Sequence, residues 1–229
     1  MRLALSEREL FAVNAEQVRV FRFDGSQQRS WNLNLKFVSS IAVHENELFV
    51  LGSSEFGLTV VRVYHTSGSF TRHFTLPRFH PTTMAVSASH IVLADSDARR
   101  ILVLGHDGVK IGSFVDDGTA DIALWDELIF TRQRFWNEVR VYSMQGTLLR
   151  KWDFMNGIGA TVAMVIRDLG DVLFGKRIDS QYYILRYSPH GDFQGLWPAE
   201  ITLMNGMAVH KNGRMFSIDN DFCLQSCEL

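Results

Sequence analysis

A glycine followed six residues later by a large aromatic residue occurs five times at nearly even intervals, and this pattern constrains the chain more than any other feature. The pairs are Gly25 and Trp31, Gly68 and Phe74, Gly108 and Phe114, Gly146 and Trp152, and Gly191 and Trp197, with successive glycines 43, 40, 38 and 45 residues apart. Four residues before each glycine stands a large apolar residue (Phe21, Tyr64, Leu104, Tyr142, Tyr187), and seven before it a β-branched one (Val18, Val61, Ile101, Val139, Ile184). A second marker recurs six times, an alanine among apolar neighbours at Ala4, Ala42, Ala85, Ala123, Ala163 and Ala208. Self-similarity at a period near 40 residues marks a repeat architecture whose single units cannot bury their own apolar surface.

Each unit reads as four short strands. Strand A holds the alanine, B an apolar run, C the segment with the β-branched residue, and D the stretch ending in Phe or Trp. Short runs rich in β-branched and aromatic residues, bounded by Gly, Asp, Ser and Asn, favour strands, and no segment keeps a 3.6-residue period for more than two turns. The C–D turns carry Asp24-Gly25, Ser67-Gly68, Asp107-Gly108, Gln145-Gly146 and His190-Gly191, where a tight hairpin demands positive φ. Four-stranded units of this length predict an all-β, six-bladed β-propeller of antiparallel blades in one domain spanning 1–229. The blades fall near 2–34, 39–77, 82–116, 119–154, 161–198 and 205–229. The alanines suit the crowded innermost strands, and the aromatic rings of strand D suit the wide periphery. The last blade holds at most three strands, with Phe222, Cys223 and Leu224 in the third, because no Gly-x5-aromatic pair follows Ala208. Closure then rests on side-chain packing alone, or the chain is an excerpt of something longer.

The third unit runs Met84-Ala85-Val86, Val92-Leu93-Ala94-Asp95-Ser96, Arg99-Arg100-Ile101-Leu102-Val103-Leu104, then Asp107-Gly108 and Phe114. It resembles the NHL repeat of six-bladed propellers, which shares that succession of strand, Ala-Asp end, Arg-Ile segment and Asp-Gly turn. WD40 fits less well, since Trp125-Asp126 and Trp152-Asp153 fall on the wrong strands, and the Gly-Gly doublet of kelch repeats does not occur.

The bulk chemistry is unremarkable. The sequence is 46% apolar with a net charge of −2, which excludes a disordered chain and argues against a strongly basic nucleic-acid binder. The longest apolar run, Val162 to Ile166, is far short of a membrane helix, and Glu7, Arg8 and Glu9 interrupt any leader-like stretch. A soluble cytoplasmic protein is the expectation. No Gly-x-Ser-x-Gly elbow, P-loop or Gly-x-Gly-x-x-Gly occurs, and His44-Glu45-Asn46-Glu47-Leu48 lacks the second histidine of a zincin. Cys223 and Cys227 alone make neither a zinc signature nor a disulfide framework. His44 and His210 read as turn residues, and Asp95 and Asp219 as caps on the backbone of their B–C turns. No catalytic residue, metal or cofactor is expected, and the chain reads as a non-enzyme.

The B–C connections are more informative. In this architecture they share one face with the D–A connections. Blade four carries Arg132, Arg134, Phe135 and Trp136, blade five Lys176, Arg177, Tyr182 and Tyr183, and blade two Phe56. Arginines with aromatics in loops are enriched at binding hot spots. Phe37, Phe79 and Met204, in D–A connections, read instead as plugs between blades. The expected role is an interaction module binding a protein or peptide on this face. Single-stranded RNA is the alternative, opposed by Asp116, Asp117 and Asp121 on the same face. A hydrolase or lyase with its site in the axial channel is the third reading.

Overall fold

The computed structural model describes all residues except 1, 15, 135, 155–159, 168, 200–206, 219–223 and 229. Five sheets of four strands and one of three are arranged in chain order. Blade one comprises β1 (Arg2–Leu5), β2 (Leu10–Val13), β3 (Gln17–Phe21) and β4 (Gln27–Asn32). Blade two comprises β5 (Phe37–His44), β6 (Glu47–Ser53), β7 (Thr59–His65) and β8 (Phe70–Thr75), and blade three β9 (Thr83–Val86), β10 (Ile91–Asp95), β11 (Arg100–Leu104) and β12 (Lys110–Val115). Blade four comprises β13 (Thr119–Trp125), β14 (Leu128–Gln133), β15 (Glu138–Ser143) and β16 (Leu148–Asp153). Blade five holds β17 (Ala160–Ile166), β18 (Val172–Ile178), β19 (Gln181–Tyr187) and β20 (Phe193–Ala199), and blade six β21 (Met207–Val209), β22 (Arg214–Ile218) and β23 (Leu224–Glu228). Every pairing is antiparallel between consecutive strands, and the innermost strands neighbour one another in a closed circle, β21 meeting β1. This is the six-bladed propeller with a three-stranded last blade. Leu224 opens that last strand, whereas Phe222 and Cys223 lie outside the described residues.

The core is six cores, one between each pair of neighbours. Phe11, Val13 and Val18 of blade one meet Ile41, Leu48 and Val60 of blade two. The pattern continues around the ring to Ala163, Leu173 and Ile184 against Met207 and Met215, and finally Phe216 and Ile218 against Leu10, Ala12 and Phe21. Strand B is covered on both faces by adjacent blades, which is why its runs are apolar without alternation: Leu10–Val13 and Ile91–Asp95 are buried throughout. Strand D is covered on one face only, and its residues alternate, as in Gln27–Asn32 and Leu148–Asp153. Each fully buried Val, Leu or Phe contributes about 1.5–3 kcal/mol, so the ring is held by many small increments.

The glycine and aromatic markers turn out to be partners across blades. Each C–D turn is closed by the glycine N–H, as in Gly68 to His65 O at 2.8 Å and Gly146 to Ser143 O at 2.9 Å, and the strand beyond it is bulged at the same place in all five hairpins. The aromatic ring of strand D lies on the turn glycine of the next blade. A Cβ on Gly108 would stand 2.5 Å from the Phe74 ring, and one on Gly191 2.7 Å from Trp152; Trp31 covers Gly68 and Phe114 covers Gly146 in the same way. Glycine is thus required twice over, for φ of +82° to +107° at these turns and for the seat of the ring. Gly25 has the same conformation, φ +89°, but nothing lies within 4 Å of its Cβ position. Blade six, its neighbour, has no described strand D to cover it.

Two further contacts tie strand D inward. Arg29 donates to both Glu9 carboxylate oxygens, at 2.7 and 2.6 Å, and to Thr66 O of the next blade at 2.8 Å. Arg72 repeats this with Glu47 (2.9 Å to Oε2) and His106 O at 3.3 Å. In blade five Arg186 stands where other copies have Val, yet the register holds opposite Leu173, because Asp171 accepts its Nη2–H at 2.7 Å.

Replacing Gly25 by Ala should cost about 1–2 kcal/mol, the strain of a left-handed alanine alone. Gly108→Ala carries the same strain plus a collision with Phe74, and should cost at least about 1 kcal/mol more. Urea midpoints of the two variants measure the difference, and equal midpoints would refute the ring-on-glycine contact as a stabilising feature.

Candidate functional site

Strands A begin and strands B end on one face of the ring, so the D–A and B–C connections emerge there together. A cavity of about 580 Å³ opens on this face at the axis. Leu3, Ile41, Met84, Ile122, Met164 and Met207, from all six inner strands, make its apolar wall, and Arg2, Ser39, Thr82, Ser96, Asp121 and Arg134 line it with polar groups. Bulges in three inner strands re-aim these residues, for example at Ser39 between Val38 and Ser40. That bulge brings the Phe37 carbonyl so close to β6 that only glycine fits at position 52. Phe37 itself is 58% exposed and borders the cavity, which corrects its reading as an inter-blade plug: the bulge turns it outward. Phe79 does pack against the core between blades two and three, and Met204 lies outside the described residues.

The sequence-derived contact residues are not equivalent in place. Phe56 is 90% and Trp136 67% exposed, on the B–C connections of blades two and four, with blade three between them. Arg134 is exposed and borders the cavity; Phe135 lies outside the described residues. Arg132 belongs to β14 rather than a loop, its side chain only 12% exposed, and pairs with Asp121 at 2.5 and 2.7 Å. It braces the face. In blade five the strands run further than the sequence suggested, leaving only Asp179 and Ser180 in the turn. Tyr182 and Tyr183 consequently sit in β19, half-buried on opposite sides of the blade. Lys176, paired opposite Tyr183, is buried, and that burial pulls its ammonium pKa below the usual lysine value.

The acidic groups expected to repel RNA do not form a patch. Asp121 is paired with Arg132, Asp117 is exposed 3.5 Å from Arg99, and Asp116 is buried. Asp116 is the hub of a polar network between blades three and four that the sequence reading missed. Its carboxylate accepts from Tyr142 Oη–H at 2.5 Å, Gln133 Nε2–H at 3.0 Å, Arg140 Nη1–H at 3.2 Å and the Thr119 hydroxyl. The one available signal was Thr131, which bonds Gln133 at 3.1 Å and stands where the first three blades have Ala12, Val50 and Leu93. Burial, and then the Asp116 carboxylate, push the Tyr142 phenol pKa well above its ordinary value. Asp95 caps as expected, accepting from Ala98 N–H at 2.9 Å and His80 N–H at 2.7 Å; Asp219 lies outside the described residues. His210 bonds within its own turn and to Glu7 O. Among the described residues no group of three or more His, Cys, Asp or Glu is placed to hold a metal ion, and no helix is long and apolar enough to cross a membrane.

No protein-family model matches the chain, so the likeness of its third unit to NHL repeats stands as a resemblance. No curated protein matches it either. Solved structures do. A streptogramin B lyase is 18% identical at a TM-score of 0.67, covering 99% of this chain and 82% of its own. The virginiamycin B lyase from Staphylococcus aureus is 12% identical at 0.65, covering 100% and 83%. BBS1N, solved in complex with ARL6DN, is 10% identical at 0.66, covering 96% and 75%. At such identities the likeness shows the fold alone. It nevertheless corrects the expectation of a non-enzyme by removing its ground, because lyases also use this fold. That expectation rested on missing motifs, and two propellers matching almost the whole chain are lyases.

Tyr142→Phe removes a hydrogen bond to a buried carboxylate and should cost about 1.5–3 kcal/mol near neutral pH. Above about pH 10 the unfolded phenol ionises while the native one keeps its proton, so this group's contribution falls as pH rises. The stability gap between wild type and Tyr142→Phe should therefore narrow by about 1 kcal/mol from about pH 9 to pH 11 in urea titrations. A constant gap would show that Tyr142 is not held protonated by its surroundings.

Proposed function

We propose that this propeller, built from NHL-like repeats, binds a segment of another protein across the mouth of the axial cavity, on the face of the B–C and D–A connections. One observation carries the reading. Phe37, Phe56, Leu58, Val115 and Trp136 stand exposed on this face, while the opposite one shows Val109 and Leu169 among the described residues, and the other exposed large apolar side chains lie on the outer strands. Exposed apolar groups around a concave, partly polar centre are the arrangement of a docking surface, where aromatic anchors supply most of the affinity. Arg134 at the cavity adds a planar donor for backbone carbonyls or carboxylates. Phe56 and Trp136 sit two blades apart, so the partner must span the cavity, within reach of an interface of about 800 Å² per side. The BBS1N structure in its protein complex is in keeping with this use of the fold. The reading leaves room for a reaction in the cavity beneath.

Phe56→Ser/Trp136→Ser should fold with a stability change within about 0.5 kcal/mol, both side chains being exposed. Quantitative capture from native lysate should lose specific proteins with this variant and keep them with Leu169→Ser on the opposite face. Retention of every partner by the double variant would sink the proposal. Loss of nuclease-sensitive material, with affinity falling steeply with salt, would transfer it to RNA.

A further inference from the structure

The lining of the axial cavity has two chemical sides. Its charged members are Arg2, at the start of β1, Arg134, just beyond β14, and Asp121 of β13. Asp121 is already matched: Arg132 donates to it from Nε at 2.7 Å and Nη2 at 2.5 Å, both bonds falling on Oδ2. It is the one carboxylate among the described residues of the lining, so the guanidinium groups of Arg2 and Arg134 set the sign of the field there. They belong to blades one and four, across the ring from each other.

Blades two and three supply the opposite polarity. Ser39 donates its hydroxyl proton to Leu51 O at 3.3 Å, and Ser96 donates to the Thr119 carbonyl. Thr82 Oγ1 lies 3.4 Å from Ser96 Oγ, and since the Ser96 proton is spent, Thr82 is the donor of that pair. A hydroxyl carries one proton and two acceptor lone pairs. With their protons committed to the protein, these three lining groups offer the cavity lone pairs, and Asp121 Oδ1 adds a further acceptor. A ligand must bring its own hydrogen-bond donors to this side. An ammonium group would face two guanidinium charges with no unmatched carboxylate of the described lining to offset them, a penalty that neutral hydroxyls do not meet. Deeper in, the apolar wall that includes Ile41, Met84 and Ile122 suits C–H surface, and about 580 Å³ is room for a small molecule.

We propose that the axial cavity binds a hydroxylated carboxylic acid of sugar size, a sugar acid in its ring form. The carboxylate takes the planar fork of Arg134, and Arg2 adds long-range attraction. The ring hydroxyls donate to Ser39, Thr82 and Ser96, and a C–H face rests on the apolar wall. This site lies beneath the mouth and shares only Arg134 with the docking surface proposed above, so a free ligand tests it with no partner protein present.

Isothermal titration calorimetry on the full chain compares D-glucuronate and D-galacturonate with three kinds of control. D-glucose and D-galactose lack the carboxylate, D-glucosamine inverts the charge, and hexanoate keeps the carboxylate without the hydroxyls. At least one sugar acid should bind roughly tenfold tighter than every control. Arg134→Gln keeps the main-chain bond from residue 134 to Gly118 O and should bring that acid down to the level of its neutral parent. Thr82→Val should weaken the sugar acid several-fold and leave hexanoate unchanged, a split that a loss of folding could not produce. Both side chains are exposed, so the urea midpoints of the two variants should match wild type. Heat from neither sugar acid, equal affinity for hexanoate or glucosamine, or unchanged sugar-acid binding by Arg134→Gln would overturn the proposal. Each of those results would leave the capture experiment at the mouth untouched, since Phe56 and Trp136 carry the effect there.

Discussion

Burial of blade faces against one another is the interaction on which the rest of this structure depends. No sheet here could stand alone, because strand B is apolar on both sides and needs a neighbour on each. Circular closure meets that need with six interfaces, each made of residues from two neighbouring blades. The cavity at the axis follows from the same constraint. Six inner strands converge, and their side chains wall a space open to one face.

The fold was legible because its markers are forced by geometry. A left-handed turn closing each outer hairpin admits only glycine comfortably, and a ring is needed where the wedges diverge, so both recur in every complete blade. Reading them as one contact required three dimensions: in sequence the ring belongs to its own repeat, in space to the following one. The placement of the candidate contact residues was legible only in part. Residue type and loop position singled out Trp136 and Phe56, which are exposed. They also singled out Arg132 and the Tyr182–Tyr183 pair, where strands extend further than local composition indicates and burial follows pairing. The inference from absent motifs to absent catalysis failed for a different reason. A propeller assembles its centre from several blades, and residues distant in sequence leave no local signature there.

Polar groups inside the ring are confined and fully engaged in places. Asp116, on the connection that leaves blade three, accepts from four donors of blade four. Such a network tolerates no rotation of one blade against the other without stranding a charge, so it fixes their relative orientation more sharply than side-chain packing does.

Five of the six interfaces join blades that are consecutive in the chain, so each connection keeps its two partners at high effective concentration. The sixth, where Phe216 and Ile218 meet Leu10 and Phe21 and Lys211 reaches Glu7 at 3.1 Å, joins the first repeat to the last. Closing it means bringing together segments some two hundred residues apart, at an entropic cost the others do not bear. This junction is accordingly the last to assemble and the first to part, a latch in an otherwise tethered circle.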